Sequence, residues 1–203
     1  MKKITVLASA VLSIVLYAAP QILRPEIVPG FSGNVPQLKY EKIAPAPEYN
    51  AAGTLAFFLR PEGWDNSDNA WHFFCNNSKA GDKTLMIYRF ANGNTRILLK
   101  KDKDNLADII AKIPFASGKW THVALSWQEK ADKSATVFSL FVDGKKVKTK
   151  FCRFTMDGFP ELRIGDVPTW RPYSKFNTTL GRIELHNKVL SEAEVAELAN
   201  LKK

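Results

Sequence analysis

The chain has 203 residues, 45% of them hydrophobic and 24% charged, with a formal net charge of +9. That balance excludes a disordered chain, and the length suits one domain with a sizeable core.

Residues 1–18 read as a secretory signal peptide. Lys2 and Lys3 form a positive start, Ile4 to Leu16 is an apolar run, and small Ala18 and Ala19 follow. Cleavage after Ala18 avoids a cut beside Pro20. The run is shorter than the roughly 20 apolar residues a spanning helix needs. The expected location is therefore outside the cytoplasm: secreted, periplasmic or in the cell envelope. Removing Lys2 and Lys3 takes two charges from +9 and leaves +7. A basic exported surface points to acidic polysaccharide, lipid headgroups or acidic glycoprotein, and away from nucleic acid.

Residues 19–49 carry Pro20, Pro25, Pro29, Pro36, Pro45 and Pro47. Proline cannot donate to a ladder, so this segment predicts a lead-in over the domain surface with one short edge strand at 37–43. Residues 50–203 form the domain proper. The stretch 54–60 is apolar almost throughout and predicts a strand covered on both faces. A polar loop follows at 61–70, then a strand at 71–75. Strands at 84–90 and 95–100 flank Asn92-Gly93 and predict a hairpin. The segment 106–113 (LADIIAKI) has helical propensity, but its neighbours argue for a strand. The run 117–147 predicts two long strands and a tight turn at Asp143-Gly144. Lysines cluster at Lys100, Lys101 and Lys103, and again at Lys145, Lys146, Lys148 and Lys150. They form a basic patch for an acidic partner; the alternative is that they simply mark the solvated face or blunt an edge strand against aggregation. A short strand is expected near 160–165 and a closing strand at 180–187. Ser191 with Glu194 makes a capping box for a terminal helix whose apolar stripe is Leu190, Val195, Leu198 and Leu201. Short strands separated by turn signals predict an all-β, two-sheet antiparallel sandwich of the jelly-roll kind.

Three stretches carry a family resemblance. GKWTHVALSW (118–127) followed by FSLFVDGKKV (138–147) resembles the core signature of laminin G-like domains in the concanavalin A-like lectin/glucanase superfamily. GTLAFFLRPEG (53–63) resembles their early strand, and LGRIELHNKVLSEAEVAEL (180–198) their closing strand and short helix. The resemblance implies a concanavalin A-like sandwich and a binding role, with sugar as one ligand class and calcium as a possible cofactor.

The candidate ligand residues are aromatic and polar. Trp170, Arg171, Tyr173 and Asn177 lie in one loop stretch, and Trp64 and Trp71 precede them in sequence. Flat rings stack on sugars while Asn and Arg reach hydroxyls; the other reading is that these rings cover core edges. Trp120 and Trp127 are an odd number of residues apart and face opposite ways, Trp120 toward the core and Trp127 outward. Asp65 and Asp68 are the best local calcium ligands, since calcium takes hard oxygen donors; an ordinary Asx-rich turn is the alternative. Relatives carry an acid near the position of Gly181, where this chain has Gly181-Arg182. Cys75 and Cys152 are the only cysteines, and in an oxidising compartment they form a disulfide or remain two buried thiols. His72, His122 and His186 stand apart and read as packed or rim residues.

Catalysis is not expected. Glycosidic hydrolysis needs two carboxylates across the sugar, and the glucanase Glu-x-Asp-x-x-Glu cluster is missing. Glu192, Glu194 and Glu197 sit on the terminal helix, and Glu161 and Asp166 flank one strand on opposite faces. The sequence therefore predicts an exported non-catalytic binding module, with glycan, possible acidic glycan included, as its first ligand class. A structural or adhesive envelope protein that binds another protein is the second reading, and a divergent glycosidase or lyase the third.

Overall fold

The structure, a computed structural model, describes residues 21–24, 38–39, 51–76, 84–101, 106–156, 163–164, 174–175 and 177–201. The strands are β1 (Gln21–Arg24), β2 (Leu38–Lys39), β3 (Ala52–Pro61), β4 (Trp71–Asn76), β5 (Thr84–Arg89), β6 (Asn94–Lys100) and β7 (Leu106–Lys112). They continue as β8 (Thr121–Glu129), β9 (Thr136–Val142), β10 (Lys145–Cys152), β11 (Arg163–Ile164), β12 (Ser174–Lys175) and β13 (Thr178–His186), and one helix follows, α1 (Glu192–Ala199). Sheet one runs β1-β13-β3-β8-β9-β10. Sheet two runs β2-β11-β4-β5-β6-β7, with β12 beside β4. This is the predicted two-sheet antiparallel sandwich, apart from one parallel pairing between β12 and β4.

Alternation builds the core. Leu55, Phe57 and Leu59 of β3 and Val123, Leu125 and Trp127 of β8 face Phe74, Ile87, Ile97 and Ile109 of sheet two. The segment 106–112 is a strand because Ala107 and Ile109 fill the inner face and Leu106 and Ile110 turn outward. β3 is covered on both faces, as its composition predicts. Its outer side carries Ala56, which with Ala124 and Phe141 receives Leu190, Val195 and Leu198 from the helix segment. The small alanines let the helix approach.

Two local devices anchor that helix. The predicted capping box is formed: the Glu194 N–H donates to Ser191 Oγ at 3.2 Å, and the Ser191 N–H donates to Glu194 Oε2 at 2.7 Å. The β9–β10 turn lies beneath it, with Asp143 at φ 47° and Gly144 at φ 77°. Positive φ at both central residues is the turn geometry that suits twisted hairpins and favours Asp-Gly.

The lead-in contributes to both sheets. β2 lies within the predicted 37–43 edge strand and pairs with β11. β1 was not predicted; it pairs with β13 at the opposite edge of sheet one. Its short run lies between Pro20 and Pro25, and an edge strand is where flanking prolines are tolerated.

One alternative is decided and one expectation needs correction. Cys75 and Cys152 are the two buried thiols of the second reading, with no disulfide between them. Cys75 lies on β4 of sheet two, whereas Cys152 ends β10 at the far edge of sheet one, where β10 meets β7. β4 and β7 are three strand spacings apart, about 14 Å, well beyond disulfide reach. The tryptophan orientations are also exchanged. Trp127 is in the core, 1% exposed, and its ring covers Gly53, while Trp120 lies half-buried on the outer face beneath the Arg60 guanidinium at 5.1 Å.

Candidate ligand face

The face of sheet two that points away from the core carries a stack of rings. The β4–β5 register sets Phe73 opposite Tyr88. Their rings are parallel, 4.7 Å between centroids. Trp71 stacks on Tyr88 at 5.6 Å, and Phe90 meets both Trp71 and Tyr88 edge-on at 4.8 and 5.0 Å. Phe73 and Tyr88 are buried, whereas Trp71 and Phe90 are half-buried. The stack continues into a charged pair. Arg96 donates to Tyr88 Oη at 3.0 Å, and grips Asp108 in bidentate fashion at 2.7 and 2.8 Å. The Asp108 carboxylate raises the Arg96 pKa above its ordinary value, opposed by burial and helped by Tyr88. With Phe73 and Tyr88 buried, Trp71 and Phe90 are the rings of this stack that can meet a ligand, with a fixed cation and anion alongside.

Of the predicted ligand residues, Trp71 lies on this face. β12 pairs in parallel with β4, Ser174 beside Trp71, so the chain leaving the predicted aromatic stretch enters at the same strand. Trp170, Arg171 and Tyr173 lie outside the described residues. Trp64 is not available to a ligand: it is 3% exposed, within the core cluster. Its ring stacks on His72 at 3.9 Å, and its Nε1 donates to the Asn177 carbonyl at 2.5 Å. The same Asn177 carbonyl accepts from the Glu62 N–H at 2.8 Å, so the Asn177 backbone pins the 61–70 loop.

The loop acids cap turns. Asp65 Oδ1 accepts from the Ser67 N–H at 2.8 Å and from Ser67 Oγ at 2.6 Å, which hold its pKa below the usual range. Asp68 Oδ1 accepts from the Ala70 N–H at 2.5 Å. This is the Asx-turn arrangement. Among the described residues, no three His, Cys, Asp or Glu side chains converge on a possible metal position. Behind the loop, the fully buried Arg89 donates to the carbonyls of Ala70 and Asn66 at 3.1 and 2.6 Å and lies 5.6 Å from the Trp64 ring. Burial lowers its pKa, with Asp68 and Asp65 opposing.

The outer face of sheet one holds a second polar group. Glu184 pairs with Arg182 and with His186 Nε2, the latter at 2.9 Å. Burial alone would raise the Glu184 pKa, but these partners bring it below its ordinary value. His122 lies nearby, its ring 4.8 Å from Phe58. Phe58, His122, Arg182 and Glu184 line a pocket that Leu198 and Leu201 close. This group sits under the helix end, and all three histidines are buried, as packed residues.

Sequence reasoning missed Tyr88, Phe90, Arg96 and Asp108. A signal existed: Trp71 and Phe73, and Tyr88 and Phe90, are two apart, so each pair shares a face, and the Asn-Gly hairpin register brings Tyr88 opposite Arg96.

The family model for the laminin G-like group of the concanavalin A-like lectin/glucanase superfamily matches residues 38–196. The chain belongs to this family. Among solved structures, this laminin G-like chain is similar to the native heptameric SAP-like pentraxin from Limulus polyphemus, with a TM-score of 0.56 and 14% identity over 86% of this chain and 82% of that one. It is also similar to the binding domain of botulinum neurotoxin DC, solved in complex with rat synaptotagmin II, with a TM-score of 0.61 and 12% identity over 88% of this chain and 47% of that one. A third match is a botulinum neurotoxin type C structure whose cell entry depends on two ganglioside molecules, with a TM-score of 0.56 and 14% identity, covering 88% and 46%. The chain thus spans about half the length of these toxin domains. At such identities the likeness is one of fold. No curated protein shows a significant match.

Proposed function

We propose that this laminin G-like domain is an exported, non-catalytic carbohydrate-binding module whose glycan lies on the outer face of sheet two beside Trp71. The observation that carries the reading is the half-buried ring pair Trp71 and Phe90, edge-on at 4.8 Å and backed by the buried Tyr88, whose hydroxyl is held by Arg96. The predicted residues Trp170, Arg171 and Tyr173 precede β12 in sequence, and β12 pairs beside Trp71. The net charge favours acidic glycans. The botulinum neurotoxin type C structure, whose cell entry depends on interaction with two ganglioside molecules, supports this class by analogy of fold alone. Export rests on the signal-peptide pattern of residues 1–18.

The non-catalytic part rests on how the acids are used. Asp108 is held by Arg96, Glu184 by Arg182 and His186, and Glu62 by Arg60. A glycosidase pair instead needs one carboxyl kept protonated and a second facing it across the sugar.

Retention on immobilised neutral and acidic polysaccharides tests the reading. Wild-type protein is expected to be retained, and Trp71→Ala, still folded, to elute with the void. Retention of Trp71→Ala equal to wild type would overturn the site. The second reading, a protein-binding envelope component, draws on the neurotoxin domain solved with synaptotagmin. It is expected to win if no glycan retains the wild-type chain.

A further inference from the structure

Exposed apolar side chains gather at one edge of the sandwich. Among the described residues the large exposed ones are Leu106, Ile110, Val147, Phe151, Val189 and Leu201. The first four lie on β7 and β10, which end the two sheets on the same side and touch each other. Lys150 of β10 donates to the Asp108 carbonyl of β7 at 2.6 Å, and Lys130 sits over the Phe151 ring at 4.7 Å.

The same two strands hold five lysines and one carboxylate. That carboxylate, Asp108, is committed to Arg96, and Lys146 pairs with Glu192. Lys112, Lys145 and Lys148 are exposed, and Lys100 stands opposite Leu106 in the β6–β7 register. The edge is thus basic and apolar together.

Charge decides between occupants. A second copy pairing edge to edge would set lysines against lysines. An acidic polysaccharide would answer the lysines but give Phe151, Val147, Leu106 and Ile110 nothing to enter. An anionic lipid surface answers both, with headgroups for the lysines and the acyl boundary for the apolar side chains. We infer that the β7–β10 edge docks this domain onto an anionic lipid bilayer, a surface that on β7 adjoins the Arg96–Asp108 border of the glycan face and lies across β5 and β6 from Trp71.

Co-sedimentation with vesicles tests this, using the full chain in every arm so that the apolar N-terminal run contributes equally. Wild-type protein is expected to pellet with phosphatidylcholine vesicles doped with phosphatidylglycerol more than with phosphatidylcholine alone. Lys145→Gln and Lys148→Gln should each lower the partition coefficient about fivefold, the factor that matches about 1 kcal/mol per basic residue near such a surface, and the charge reversals Lys145→Glu and Lys148→Glu should lower it further. Phe151→Ser should lower it severalfold without changing the near-ultraviolet circular dichroism, while Trp71→Ala leaves it unchanged. Equal pelleting of wild type and all edge variants overturns the inference. So does a loss on lysine reversal with none in Phe151→Ser, together with competition by a soluble acidic polysaccharide, since that pattern assigns the edge to an acidic chain.

Discussion

Gly144 and Ala196 are in contact where the β9–β10 turn meets the helix: a Cβ built on Gly144 would lie 2.8 Å from the Ala196 Cα. Gly144 has φ 77° as well, so it satisfies a backbone and a packing requirement at once. Gly63, at φ 75°, has open space around it. Gly144→Ala is therefore expected to cost about 2–4 kcal/mol, from left-handed strain plus overpacking, and Gly63→Ala only about 1–2 kcal/mol. Urea unfolding of the two variants checks this; equal losses would mean that the helix yields at the turn.

Gly53 and Trp127 form a similar pair in the core, with a Gly53 Cβ falling 2.3 Å from Trp127 Cζ2. Gly53→Ala alone should cost about 1–3 kcal/mol by overpacking. Trp127→Phe alone should destabilise by leaving a cavity. Made together, the two should lose less than their sum by at least about 0.5 kcal/mol, because the smaller ring vacates the space that the methyl needs. A double-mutant cycle by chemical denaturation measures the coupling.

Acid should loosen the helix face. Burial lowers the His122 pKa from 6.5 to about 4, against the opposing pull of Asp143 and Glu184. Between these values the unfolded chain binds a proton that the folded chain excludes, so stability rises with pH. The contribution is complete above about pH 6.5 and lost as pH falls toward 4, about 3 kcal/mol at most. Glu194, held at about 2 by Lys188 and the Ser191 cap, adds a loss below its ordinary value of 4.5. Stability measured from pH 7 to pH 4 should fall less steeply in His122→Gln than in wild type.

The two thiols should titrate freely. Denatured protein is expected to give two reactive thiols per chain, one each from Cys75 and Cys152, and reductant should leave Tm unchanged. Absence of free thiols in protein recovered from an oxidising compartment would contradict the placement of the two cysteines in different sheets.

Trp64 and Trp71 should separate fold from binding. Trp64→Ala removes a buried ring and its hydrogen bond to Asn177, and should cost about 3–5 kcal/mol. Trp71→Ala removes a half-buried ring at the end of a stack, so it should keep most of the stability and lose the glycan. Thermal melts and affinity retention read the two effects independently.

The sequence by itself determined what depends on near neighbours. Alternation placed the strands, Asn92-Gly93 and Asp143-Gly144 placed the turns, and Ser191 with Glu194 placed the helix start. Each signal is complete within a few residues, because period, turn geometry and capping are local. Alternation also showed that Trp120 and Trp127 face opposite ways, but it could not say which way is in. That depends on which side the second sheet packs, and it made Trp127 core and left Trp120 outside. The tertiary structure likewise decided that Trp64 is buried against His72, that Cys75 and Cys152 lie in different sheets, and that Trp71, Tyr88, Arg96 and Asp108 meet on one face. Those outcomes join residues far apart in the chain, and only the pairing of strands and the stacking of sheets brings them together.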